Sequence, residues 1–322
     1  MCKKQCVIIS YDIMTHHPQE VVQIYKGKYY NKPQNAQKFS KVIVFDLDET
    51  FGYFFELKIL WNYITSIGPD FSTPDIFNVL LDMYPEFLRY GIISILDYIY
   101  NKKLSGKCHK VYVFTNNKYD HSWVNLILDY FVYKLDCKTK LFDQVIYAFK
   151  INNKQIEVKR TKQTKTYEDF INCTMLPYST EICFVDNNYF PDMNNERVYY
   201  IQPLSYYHNM KKEEIVCRFI NSDLWKQIKN VNLGIKSIKS DLFHDCRGFH
   251  MNSMKIAVDF HVAQKIMFHI KEFFYFPKTH QKTKKNNRNL ISRTTRKNRP
   301  YVERYSHTDK INSSSADNFW KV

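Results

Sequence analysis

Asp46 and Asp48 follow directly on Val42-Ile43-Val44-Phe45, an apolar run rich in β-branched side chains. A continuous apolar run that stops abruptly at polar residues reads as a strand buried on both faces, as in a parallel sheet. In open α/β sheets, ligands bind beyond the carboxyl ends of the strands. Both carboxylates therefore fall where chemistry is expected. Alternation along an extended chain puts Asp46 and Asp48 on the same side. One can attack while the other moves protons. An acidic strand end by itself is as readily a solvated turn, so its meaning depends on partners elsewhere in the chain.

Those partners sit at other predicted element ends. Val111-Tyr112-Val113-Phe114 runs into Thr115-Asn116-Asn117, and Glu181-Ile182-Cys183-Phe184-Val185 runs into Asp186-Asn187-Asn188. Lys165 stands just before a helical pattern at Thr166–Leu176, at the end of a basic segment that also holds Lys159 and Lys162. Two carboxylates, a hydroxyl, a cation and a further acid–amide pair suit phosphoryl transfer. A phosphate ester is dianionic, so catalysis has to neutralise its charge and align the attack. Mg²⁺ takes oxygen ligands, usually one or two carboxylates plus the substrate phosphate. Asp46 with Asn187 or Asp186 can form that half-cage. Lys165 and Thr115 can hold phosphoryl oxygens. The second oxygen of Asp46 can form an aspartyl-phosphate, a known covalent route for carboxylates.

The elements that must position these groups alternate between strand and helix. After the first strand, Leu57, Leu60, Trp61 and Ile64 make a helical face, and residues 68–74 form a loop. Pro85 is expected to open a helix with Leu88, Ile92, Ile95, Leu96 and Ile99 on one side. Trp123, Leu126, Ile127 and Tyr130 mark the next helix, and Gln144–Phe149 a third strand. Val198–Ile201 is a fifth strand, and one amphipathic helix spans about Lys211 to Ile228. This order predicts an α/β fold, a Rossmann-like parallel sheet flanked by helices with right-handed crossovers. In Met254–Phe276, Ile256, Phe260, Ala263, Met267, Ile270 and Phe274 draw one apolar stripe, expected to pack on the catalytic unit.

Taken together, the DxDxT at Asp46–Thr50, Phe114-Thr115-Asn116, Lys165-Thr166-Tyr167 and Val185-Asp186-Asn187 resemble the four motifs of the haloacid dehalogenase (HAD) superfamily. In detail, with Tyr119 four residues after Thr115, they resemble its branch of RNA polymerase II C-terminal-domain phosphatases, the NLI-interacting-factor-like proteins. The resemblance covers about Lys41 to Ile228. It implies that Asp46 is the nucleophile and a Mg²⁺ ligand, and that Asp48 is the general acid and base, binding Mg²⁺ through its carbonyl. Thr115, Asn116 and Lys165 would bind the substrate phosphoryl group. Asn187 would bind the metal, with Asp186 orienting its water and Lys165. The implied substrate is phosphoserine or phosphothreonine in proteins. A nucleotide or nucleic-acid end is an alternative, and an inactive HAD-fold binding protein is another. Phe51-Gly52 stands where that branch has Leu, and Asn188-Tyr189 where it has Ser-Pro. Phe51 is expected to mark a changed substrate side. The stretch 52–84 would be a cap insertion.

Composition bounds the rest. Across 322 residues, 44% are hydrophobic and 16% aromatic, a globular balance, and seven glycines leave no Walker or dinucleotide loop. The domain plan is an extension over 1–40, the phosphatase domain over 41–230, a helical segment over 231–276 and a basic tail over 277–322. The net charge is +15, and between Lys278 and Arg304 ten Lys/Arg face one acid, Glu303. That tail is expected to be disordered and able to contact nucleic-acid phosphates. Eight dispersed cysteines without a CxxC pair fit a reducing compartment. No run reaches the roughly 18 apolar residues of a membrane span. Cytoplasm or nucleus is expected, of a host cell if the AT-rich-genome composition is viral. His244, Cys246 and His250 match no zinc spacing.

Overall fold

The computed structural model describes residues 21–31, 40–231 and 254–275. The strands of its main sheet are β1 (Val22–Lys26), β2 (Lys41–Phe45), β3 (Lys110–Phe114), β4 (Gln144–Ile146), β7 (Glu181–Val185) and β8 (Val198–Pro203). Their spatial order is β1-β8-β7-β2-β3-β4, with β2 at the centre. Every pair is parallel except β1 with β8. The protein is thus an α/β fold with a six-stranded, mostly parallel mixed sheet flanked by helices. The antiparallel edge comes from the stretch expected to be only an extension. Its five residues alternate weakly, with Val22 alone fully buried, so sequence periodicity gave little sign of it.

The unbroken apolar runs of the central strands follow from burial on two faces. Ile43 and Phe45, Val111 and Val113, and Cys183 and Val185 enter one apolar cluster. Val42 and Val44, Tyr112 and Phe114, and Ile182 and Phe184 enter a second, on the other side. The first face carries α1 (Phe55–Ile67), α2 (Pro74–Asp82), α3 (Ile92–Leu104) and α4 (His121–Lys134). A two-stranded hairpin, β5 (Lys150–Ile151) with β6 (Lys154–Gln155), precedes α5 (Tyr167–Thr174), which covers the second face. Then come α6 (Lys212–Ile220), α7 (Asp223–Val231) and α8 (Met254–Tyr275), all on the first face. In the stretch expected to be a cap, Leu57, Leu60, Trp61, Ile64, Phe77, Leu80 and Leu81 are buried in the same cluster as Ile43 and Phe45.

Several boundaries differ from expectation. Pro85 opens only a short 3-10 turn, and α3 starts at Ile92 after Gly91, whose φ of 74° turns the chain. The third strand stops at Ile146. The amphipathic run 211–228 is two helices. Ser222 ends the first by donating to the Phe219 carbonyl at 2.6 Å and caps the second by accepting from Trp225 N at 3.0 Å. On α8 the buried stripe is Val262, Ala263, Ile266, Met267, Ile270 and Phe273. It is rotated from the expected one, and Ile256 is exposed. Among the described residues no helix is long and apolar enough to cross a membrane. Cys108, Cys137, Cys173, Cys183 and Cys217 are free thiols. His244, Cys246, His250 and the basic tail lie outside the described residues.

Candidate active site

The register of the central strands sets the site. Phe45 is level with Val113 on one side and Val185 on the other. Asp46, Phe114 and Asp186 are therefore the first residues past that level on adjacent strands, about 4.8 Å apart. Lys165 joins them from the start of α5. Thr166 caps that helix by accepting from Asp169 N at 3.0 Å, which places Lys165 one residue outside it. Lys165 Nζ lies 2.5 Å from Asp46 Oδ1 and 2.6 Å from Asp186 Oδ2, and the side chain is 1% exposed. Lys162 is exposed and pairs with Asp192 at 3.1 Å, and Lys159 is exposed. Of the three lysines only Lys165 meets the carboxylates.

The loop after β2 is folded back on itself. Glu49 takes a left-handed φ of 59°, and its N–H donates to the Gly52 carbonyl at 2.8 Å. Gly52 is obligatory here, because a Cβ would lie 2.3 Å from the Phe87 carbonyl oxygen. Buried Arg89 pins the turn, donating from Nε to the Thr50 carbonyl at 2.6 Å and from one terminal nitrogen to the carbonyls of Glu49 and Leu204 at 2.5 and 2.7 Å. Thr50 in turn reaches inward. Its hydroxyl lies 2.9 Å from Asn187 Oδ1 and 3.3 Å from Asp46 Oδ2. A hydroxyl has one proton, and the shorter contact takes it. Asp46 Oδ2 keeps its lone pairs, while Asp46 Oδ1 is held by Lys165.

Asp48 is oriented separately. Asn117 Nδ2 donates to Asp48 Oδ2 at 2.8 Å, and Asn117 Oδ1 accepts from Tyr119 N at 2.8 Å. Burial, and then the charge of Asp46, push the Asp48 pKa up to about 6. A carboxyl group so raised can carry a proton near neutrality, which a general acid needs. Burial also pushes Asp186 above the ordinary carboxylate range, against the pull of Lys165. For Lys165, burial opposes the charge, but the Asp186 and Asp46 carboxylates outweigh it and its pKa is raised.

Thr115 is buried, and its hydroxyl accepts from Asn117 N at 2.9 Å. Asn116 is held through Oδ1 by Arg160 at 2.8 Å. Arg160 is 1% exposed and also donates to the carbonyls of Thr115, Tyr147 and Gln163 at 3.2, 2.7 and 2.9 Å. One guanidinium thus ties the loop after β3 to the strand end of β4 and to the approach to Lys165. Sequence reasoning missed Arg160, hidden in a basic segment, along with Arg89, Asn117 and the role of Thr50. Thr50 and Asn117 had a signal, as the last letter of DxDxT and as part of the polar strand end Thr115-Asn116-Asn117.

Phe51 points into the core. It is buried, with ring centroids 5.1 Å from Phe45, 5.2 Å from Phe131 and 6.0 Å from Phe142. A cavity of about 540 Å³ is bordered by Arg89, Tyr206 and His208 and includes none of Asp46, Asp48, Thr115 or Lys165. Volume alone does not locate the chemistry.

The donor set fits a hard divalent cation. Asn187 Nδ2 donates to Glu49 and Ser205 at 3.1 and 3.0 Å, which turns Oδ1 inward to the same hydroxyl that Asp46 approaches. Lys165 engages one oxygen each of Asp46 and Asp186, which leaves their other oxygens, with Asn187 Oδ1, as the hard donors a divalent cation takes. Among the described residues no three His, Cys, Asp or Glu side chains form a metal cage of their own. The remaining ligands would be water, the Asp48 carbonyl and substrate, as Mg²⁺ usually takes them. Compared with models of known protein families, with curated proteins and with solved structures, the chain matches none.

Proposed function

We propose that the protein is a Mg²⁺-dependent phosphomonoester hydrolase of the haloacid dehalogenase type, working through an aspartyl-phosphate on Asp46. The observation that carries this reading is the convergence of Asp46, Lys165 and Asp186 at 2.5 and 2.6 Å from three distant parts of the chain, with Asp48 held beside them by Asn117. Asp46 Oδ2 attacks phosphorus, the bond to the leaving oxygen breaks, and Asp48 gives that oxygen its proton. Asp48 then takes a proton from water, which attacks the aspartyl-phosphate and releases inorganic phosphate with Asp46 restored. Lys165 neutralises phosphoryl oxygens, with Thr115 and Asn116 as hydrogen-bonding neighbours. Bound Mg²⁺, held by Asp46, Asn187 and the Asp48 carbonyl with Asp186 behind them, would supply charge neutralisation. Electrostatic positioning of this kind is the larger part of phosphoryl-transfer catalysis.

An inactive scaffold would not need an acid and a nucleophile oriented by separate partners. Mg²⁺-dependent hydrolysis of p-nitrophenyl phosphate tests the reading. Asp46→Asn is expected to lose on the order of 10³-fold or more in kcat/KM. Equal, negligible rates in wild type and variant would sink the enzyme. The motif resemblance points to phosphoserine or phosphothreonine in a protein as substrate. The surface around the site favours the second reading, a nucleic-acid end.

A further inference from the structure

Two aromatic surfaces flank the loop that follows β3, and each carries a cation. On the side nearer Asp48, Tyr119 is 40% exposed and its N–H is bound by the same Asn117 that holds Asp48. Lys58 Nζ lies 5.5 Å from the Tyr119 ring centroid and 4.6 Å from that of Trp123. On the other side, His121 stacks on Tyr147 at 3.7 Å with an interplanar angle of 16°. The Tyr147 carbonyl is held by Arg160, the guanidinium that also holds Thr115 and Asn116. This platform is thereby fixed to the phosphate-binding loop. Next to it, Lys150 Nζ lies 4.9 Å from the Phe149 ring centroid, at the start of β5.

The charge is mostly positive around the second surface, whereas beside Tyr119 the exposed Asp120 pairs with Lys58 at 4.0 Å. From Tyr147 to Lys165 there are six Lys/Arg and one acid, Glu157. Lys118, Lys150, Lys154 and Lys159 are exposed and make no salt bridge among the described residues. An acidic peptide would use the lysines and leave the ring faces unused. Ring faces interleaved with cations match stacked bases joined by phosphates, the pattern of single-strand binders.

We propose that this rim, built from residues 116–121 and the β5–β6 hairpin, binds single-stranded nucleic acid and presents its terminal phosphate to Asp46. The substrate assignment rests on the phosphatase reading above, whereas the binding surface does not.

The test uses the full chain, so that the basic tail is constant. Binding of a fluorescent single-stranded 12-mer bearing a terminal phosphate is followed by anisotropy across a salt series, beside hydrolysis of that oligonucleotide, a phosphopeptide and p-nitrophenyl phosphate. His121→Ala is expected to weaken oligonucleotide binding about tenfold. Lys150→Glu/Lys154→Glu is expected to flatten the slope of log K against log salt by about 1.4, two single-strand contacts. Both should lower the ratio of oligonucleotide to aryl-phosphate kcat/KM about tenfold. Unchanged binding and ratio in both variants, or a phosphopeptide preferred by the wild type, would overturn the proposal. Rim-dependent binding without hydrolysis of any phosphate would overturn the phosphatase reading and leave the nucleic-acid surface standing.

Discussion

At the scale of single residues, Lys165 and Lys162 make opposite predictions from nearly the same place in the sequence. Lys165→Met leaves Asp46 and Asp186 buried without their cation, which costs about 3–5 kcal/mol in comparable buried pairs. Both thermal stability and aryl-phosphate hydrolysis should fall sharply. Lys162→Ala breaks an exposed pair with Asp192 and should stay within about 0.5 kcal/mol of wild type. If Lys162→Ala is the variant that abolishes hydrolysis, the lysine is misassigned. Spacing left Lys159, Lys162 and Lys165 open, because a basic segment does not say which ammonium turns inward. What decides it is Thr166, whose cap fixes the start of α5. Phe51 shows the converse. A departure from a familiar motif suggests a changed substrate side, yet its ring lies in an aromatic cluster on the helix-rich face. Phe51→Leu should cost about 1–2 kcal/mol by underpacking and leave the ratio of phosphopeptide to oligonucleotide turnover unchanged.

Elements were legible where burial was two-sided or periodic. The central strands β2, β3 and β7 show in the sequence as apolar runs because their side chains are buried on both faces. The edge strand β1 and the break between α6 and α7 were not, since weak alternation and a single serine cap compete with a longer pattern. The apolar periodicity of α8 shows in the sequence, but its buried stripe is rotated, because a helix docked across β1 and β8 is oriented by its polar anchors as well as its apolar residues. Glu272 is the main anchor, accepting from Lys26 at 2.6 Å, from Tyr199 at 2.5 Å and facing His269 at 3.1 Å. Burial would raise its pKa, but the hydrogen bonds from Lys26, Tyr199 and His269 outweigh it and hold it below the usual carboxylate range. The sign follows from linkage. The stability Glu272 contributes is present above the unfolded carboxylate pKa, about 4.3, and is lost as pH falls through the lower folded value. Thermal melts from pH 7 downward should show Glu272→Gln less stable than wild type at pH 7, with the two curves converging as pH falls past the unfolded carboxylate value and through the lower folded one. A constant gap across that range would remove Glu272 as the titrating anchor.

At the scale of the whole molecule, the loop that carries Asp46 and Asp48 is held by chain segments far from it in sequence. Arg89 donates to Glu49, Thr50 and Leu204, and its own N–H donates to the Phe51 carbonyl at 2.8 Å. The Tyr206 N–H donates to the Glu49 carbonyl at 2.9 Å. Three stretches, 46–52, 85–89 and 204–206, thus meet at one buried guanidinium. Nothing local marks Arg89 in the sequence, because its partners are backbone carbonyls and carry no residue-type signal. Burial lowers its pKa to about 10, which still leaves it charged at neutral pH. Its loss would orphan buried carbonyls and free the left-handed turn at Glu49, and with it the hydroxyl of Thr50 that separates Asn187 from Asp46. Lysine keeps the charge but places three donors at one point, not the planar fork these carbonyls need. Arg89→Lys should therefore lower stability by about 2–4 kcal/mol and reduce kcat for p-nitrophenyl phosphate more than it raises KM. The Mg²⁺ concentration for half-maximal rate should rise with it, since Asn187 is positioned through the same turn. Lost stability with unchanged kcat and Mg²⁺ dependence would show that Arg89 holds the fold together without setting the geometry of the site.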